Sequence, residues 1–188
     1  MKRLTLILCT VLAVCACAQK EPDPVAEAII AELTKDLDQP FDISVRNLQM
    51  LDSTTFATEF QRRISIYDTR LQQNTERMEK YIRQGMKKNA TLMYDELKKD
   101  TRIYNELIGL KEMMGGDTLK IAYYDYSFAY GGKVGSSKLP DKQAYATVTP
   151  EGKVLTCVSD QRDLHKATGL VIPGYKELLD SFKEEAKE

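Results

Sequence analysis

From Asp52 to Met114 the chain has no proline, and its apolar residues recur at helical spacing almost without interruption. Phe60, Ile64, Tyr67, Leu71, Asn74, Met78 and Tyr81 follow a 4-3-4-3-4-3 spacing. Residues so spaced lie on one stripe of an α-helix and form a seam like that of a coiled coil, here with one polar position at Asn74. Gly85 and Asn89 weaken helix propensity at the centre of the stretch. Beyond them a second helix is predicted over 90–114, with Met93, Leu97, Tyr104, Leu107 and Ile108 on its buried side. Gly115-Gly116 stops it. The pattern predicts a helical hairpin with arms of roughly 35–45 Å at 1.5 Å per residue, or else one bent helix.

The chain around this stretch is ordinary for a globular protein. Of 188 residues, 43% are hydrophobic and 29% charged, which is too polar for several membrane spans. A net charge of −1 gives no bulk electrostatic case for binding nucleic acid. Without an internal repeat or a Pro/Gly/Ser-rich linker, residues 24–188 read as one domain.

The flanks alternate between helix and strand signals. Residues 24–37 read as a helix, with Pro24 in its first turn and Val25, Ile29, Ile30, Leu33 and Leu37 on one face. Phe41 to Arg46 alternate as a strand, and the switch to Leu48, Met50 and Leu51 marks a bulge or the strand's end. Residues 52–55 offer several helix caps. After Gly116 the period changes to two. Strands are expected at 119–130, 143–149 and 154–158, the last two joined by a tight turn at 150–153. Residues 131–142 read as a polar loop. A short helix capped by Ser159-Asp160 and ending at Gly169 follows, then a closing helix after Pro173-Gly174. The expected fold is α+β: an N-terminal helix and a long helical hairpin on an antiparallel sheet of three or four strands, with a C-terminal helix. Cystatin-like and NTF2-like folds are similar in element order alone, which does not carry function.

Groups suited to catalysis are few. His165 is the only histidine, so no His-His zinc motif exists, and no metal ligands or cofactor are expected. Cys157 lies within a strand beside Leu155 and reads as a small core residue; a Cys157–His165 nucleophilic pair is the enzymatic alternative. The glycines and lysines of 131–138 do not form a phosphate-binding loop, because the Walker spacing is missing. The strand at 119–130 carries Ala122, Tyr124, Tyr126, Phe128 and Tyr130 on one face. With Lys133 in the adjoining loop, Tyr124, Tyr126 and Tyr130 form a candidate surface for a small ligand or glycan. Packing of that face beneath the helices is the competing reading, supported by Asp125 and Ser127, which suggest that the opposite face is the wetter one. The basic residues Arg83, Lys87 and Lys88 fall at the hairpin bend, where they face a membrane surface, a partner or solvent.

The amino terminus has its own pattern. Met1-Lys2-Arg3 precedes an uncharged, mostly apolar run over 4–14, about 16 Å as a helix and so half a bilayer core. It reads as the apolar segment of a secretory signal. Val14-Cys15-Ala16-Cys17 then resembles the lipobox of bacterial lipoproteins, in which Cys17 is the modified cysteine and small Ala16 precedes the cut. Taking Cys15 instead puts Val14 at the small position, where it fits badly. The resemblance implies a signal peptide at 1–16, a diacylglyceryl thioether on Cys17 and a further acyl chain on its freed amine. Residues 17–23 form a tether, with Pro22 within it and Pro24 directly after it. Gln19, Lys20, Glu21 and Asp23 resemble the surface-export signal of Bacteroidota lipoproteins, and an ordinary spacer is the equal alternative. The expectation is a lipid-anchored, non-catalytic envelope protein, in the outer membrane with its leaflet open. It contacts the membrane through Cys17 and a partner protein through its folded part.

Overall fold

The computed structural model describes residues 23–185. The lipobox residues Val14, Cys15, Ala16 and Cys17, and the tether residues Gln19, Lys20 and Glu21, lie outside the described residues. The chain runs α1 (Pro24–Thr34), β1 (Phe41–Thr55), α2 (Phe56–Arg83), α3 (Lys87–Met114), β2 (Ile121–Val134), β3 (Ser137–Val148), β4 (Val154–Val158) and α4 (Tyr175–Glu185). The four strands form one antiparallel sheet in the order β1-β2-β3-β4. The fold is α+β, as expected.

The hairpin is inserted between two strands that pair directly. Thr55 ends β1 and caps α2, its hydroxyl accepting from the Thr58 amide at 3.3 Å. The Phe56 amide donates to the Lys120 carbonyl at 3.1 Å, so entrance and exit of the excursion touch. Each arm has 28 residues, about 42 Å of helix. Gly85, with φ +69°, makes the turn in a left-handed conformation that side chains disfavour. All seven seam residues of α2 are buried or half-buried. The seam of α3 also includes Ile103 and Asp100, which apolar spacing alone did not pick out.

Two cores flank the sheet. The first packs Ile29 of α1 over Phe128, Ala144, Ala146 and Val148, with Val45, Leu48, Tyr126, Tyr130 and Cys157 at its margin. The second lies at the base of the hairpin and joins Phe60, Tyr67, Ile103 and Leu107 to Ile172, Tyr175 and Phe182 of the C-terminal segment. The hairpin meets the sheet through its first two turns and then runs beyond it. Between residues 68 and 102 only Asn74 and Asp100 are buried, and they face each other, with Asn74 Nδ2 donating to Asp100 Oδ2 at 3.3 Å. Arg70 adds an ion pair to Asp100 Oδ1 at 2.9 Å, off the line of a good hydrogen bond. Burial pushes the Asp100 carboxyl up and Arg70 pulls it back. A single polar layer in an apolar seam fixes the register of the arms.

Several local expectations change. The irregularity after Arg46 is a set of bulges, with register shifts at 46–49, 50–52 and 54–55 and Asn47 at φ +54°. β1 therefore continues to Thr55, and its bulges blunt a long edge strand against pairing with other chains. Residues 131–142 are not a loop. β2 and β3 extend through them, pairing Lys133 with Lys138 and Val134 with Ser137 around a turn at Gly135-Ser136. Gly132 permits this extension, since a Cβ there would strike the Asp42 carbonyl of β1. The expected short helix before Gly169 is two 3-10 turns, Gln161–Asp163 and Thr168–Val171. The wetter-face reading of Asp125 is also wrong. Asp125 is buried, because the base of α2 and residues 159–175 cover that face.

Candidate functional site

The tyrosines of β2 do not form one surface. Tyr124 and Tyr126 line a shallow cleft of about 230 Å3 with Pro24, Val25, Val148 and the turn at Pro150 to Gly152. Tyr130 lines a separate groove of about 320 Å3 with Leu33, Leu37, Ile43, Val134, Leu139 and Lys142. α1 separates the two openings. Its eleven residues span about 16 Å over strands near 46 Å long, so the ends of the sheet face stay uncovered. Lys133 is exposed and lines neither opening. Asp23, one of the tether residues, belongs to the fold as the cap of α1, its carboxylate accepting from the Val25 amide at 2.9 Å.

The densest polar chemistry is a buried cluster that the sequence does not advertise. Glu59, in the first turn of α2, is 0% exposed and accepts four hydrogen bonds. Oε1 receives Arg63 Nε at 2.6 Å and the Thr168 hydroxyl at 3.1 Å. Oε2 receives Arg62 Nη1 at 2.6 Å and the Tyr123 hydroxyl at 2.7 Å. These fill the acceptor capacity of a carboxylate. Arg63 Nη2 reaches on to the His165 carbonyl at 2.7 Å and to Thr168 Oγ1 at 2.8 Å, and Arg62 also bonds the Tyr123 hydroxyl. Burial, together with the Glu59 carboxylate, pushes the Tyr123 phenol up. Next to this cluster, His165 Nε2 pairs with Asp125 Oδ2 at 2.7 Å, and Thr147 donates to Asp125 Oδ1 at 3.0 Å. The Thr156 hydroxyl, opposite Thr147 in the ladder, is buried without a partner.

A histidine held by a carboxylate is one part of an acyl-transfer site, and the structure separates it from the thiol. Cys157 packs on the α1 side of the sheet, whereas His165 lies on the face of Asp125 and Thr147. The nucleophile–base contact that a Cys157–His165 mechanism requires is therefore blocked by the sheet. Burial also pushes the Cys157 thiol up to about 11, with Glu32 adding to the shift and Lys35 opposing it. At pH 8 iodoacetamide should then label native Cys157 roughly a hundredfold more slowly than the unfolded chain. Labelling at the unfolded rate would show a reactive thiol. Among the described residues no group of three or more His, Cys, Asp or Glu is placed to hold a metal ion.

Polar groups, half-exposed apolar ones and cations are arranged differently along the hairpin. Along α2, Ile66 stands exposed over a shallow depression of about 450 Å3 with Arg62, Ser65, Thr69 and Arg70. At the bend Ile82, Met86, Leu92 and Tyr94 are exposed, and so are Arg83, Lys87 and Lys88. No described helix is long and apolar enough to cross a membrane.

Comparison with protein-family models, curated proteins and solved structures finds no match to this chain.

Proposed function

We propose that this is a lipid-anchored, non-catalytic protein of the cell envelope, held by acyl chains on Cys17, whose folded part docks a partner protein on the helical hairpin. The observation that carries the docking half is the hairpin itself. It is a stiff arm of two 28-residue helices whose outer part has only a two-residue polar layer buried. An arm of that length costs much chain for little core, which a binding surface explains better than stability does. Ile66 and its polar surround have the composition of an interface patch, an apolar centre with a basic and hydroxyl rim. The anchoring half rests on the lipobox resemblance at Val14 to Cys17.

A photo-crosslinking amino acid at Ile66 in cells should yield one discrete adduct at substantial yield. The same group at Lys153, on the β3–β4 turn, should yield none. Absence of an adduct at Ile66 under conditions where the protein is full-length and anchored counts against docking through the arm. A ligand-binding reading has one observation in its favour, the groove beside Tyr130, where Lys142 is the only charged residue among the lining side chains. The separation of Tyr130 from Tyr124 and Tyr126 weakens it.

A further inference from the structure

From Lys80 to Tyr94 the chain has four cations, Lys80, Arg83, Lys87 and Lys88, and no acidic residue. This is a segregation of charge in a protein whose total is −1. All four are exposed, and among the described residues none of them pairs with a carboxylate. The same fifteen residues expose Ile82 (60%), Met86 (41%), Leu92 (53%) and Tyr94 (59%). Helix stability accounts for only half of these cations. Lys80 and Arg83 in the last turn of α2 favour its dipole, whereas Lys87 and Lys88 in the first turn of α3 oppose it. α3 moreover begins without an acidic residue in its first turn and without a capping side chain, its N-cap being Met86. The Lys87 amide donates to the Gly85 carbonyl and the Ala90 amide to the Met86 carbonyl, both at 3.0 Å, which leaves the amides of Lys88 and Asn89 to solvent or to an external anion, at the place where cations gather.

We infer that the hairpin tip docks on an anionic lipid surface, with Ile82, Met86, Leu92 and Tyr94 entering the headgroup boundary and Lys80, Arg83, Lys87 and Lys88 meeting lipid phosphates. The tip pairs exposed apolar side chains with cations, and both kinds of contact are used in interfacial binding. The inference deepens the hairpin-docking reading by naming a second surface on the same arm, and it does not depend on acylation of Cys17.

The test uses the chain from Ala18 onward, which carries no acyl group. Both cores are built from residues between Val25 and Phe182, so this chain keeps them. It should co-sediment with phosphatidylcholine vesicles containing roughly one-third phosphatidylglycerol and not with phosphatidylcholine alone, and salt should weaken the association. A basic residue near an anionic surface contributes about fivefold, so Lys87→Ala with Lys88→Ala should lower partition about 25-fold. Ile82→Ser with Tyr94→Ser should lower it by a similar factor at low and at high salt. The lysine variant removes charges that oppose the α3 dipole, so its thermal midpoint should hold or rise. Equal binding to both vesicle types, or wild-type partition by the lysine variant, overturns the inference. Loss of vesicle binding with an intact Ile66 crosslink overturns it and leaves partner docking standing. Vesicle binding without that crosslink supports it and removes the docking reading instead.

Discussion

Glu59→Ala should cost about 3–5 kcal/mol of unfolding free energy, roughly a fifth or more of what a domain of this size possesses. The carboxylate is fully buried and is the common acceptor of Arg62, Arg63, Tyr123 and Thr168. Its removal takes the counter-charge from the Arg63 guanidinium, whose own exposure is only about a tenth, and takes from the Tyr123 hydroxyl the carboxylate that accepts its proton. The loss arises from unpaired buried donors more than from a missing attraction, so the conservative change should be informative. Glu59→Gln keeps the shape and one acceptor oxygen and should cost clearly less. Tyr123→Phe, which takes one of its four donors from Glu59 while Arg62 keeps its own bond to that carboxylate, should cost about 1–2 kcal/mol. Urea unfolding of the three variants measures this order. A Glu59→Ala loss below about 1 kcal/mol would mean that the cluster is dispensable. The cluster ties three distant pieces of chain together: the base of α2, the start of β2 and the 3-10 turns before α4. In Glu59→Ala the hairpin should therefore swing loose from the sheet before the sheet itself unfolds, and hydrogen exchange along α2 should report it.

Cys17→Ser should abolish incorporation of labelled palmitate, an all-or-none change. One acyl chain holds a protein only marginally, whereas two or more hold it stably, so there is no graded intermediate to expect from losing the site itself. Cys15→Ser is the internal control and should keep the label, because Ala16 rather than Val14 suits the position before the cut. Label lost from Cys15→Ser and retained in Cys17→Ser moves the anchor by two residues. No label in the wild-type chain reduces the segment to a plain secretory signal and removes the anchoring half of the proposal. The experiment is independent of the vesicle test, which uses a chain without the anchor.

Much of the fold is legible in the residues because it follows from local periodicity. The 4-3 spacing from Phe60 to Tyr81 places those side chains on one helical stripe whatever surrounds them, and each proved buried or half-buried. The period-two runs gave the paired strands of the C-terminal half, and Thr55 and Gly115 marked helix ends through capping and turn chemistry. Asp125 shows where such reading fails. A carboxylate in an alternating strand reads as solvent-facing, yet the turn between the two 3-10 segments, bearing His165 forty residues later, covers it and supplies a partner. Residues 131–142 read as a loop because they are polar and glycine-rich. Main-chain pairing with β1 and across β2–β3 holds them in the sheet, and composition says little about pairing.

By itself the sequence determines the elements with a local cause: the two long helices and their seam, the strand order along the chain, and the amino-terminal segment that resembles a lipoprotein signal. Only the tertiary structure decides which polar groups are buried, that the tyrosines of β2 fall into two openings, and that Cys157 and His165 lie on opposite faces. The physical reason is range. A helical stripe or a turn depends on neighbours within a few residues, whereas Glu59 finds Tyr123 and Thr168 across 64 and 109 residues. Burial of a charge is decided by such partners and leaves no trace in the periodicity around it.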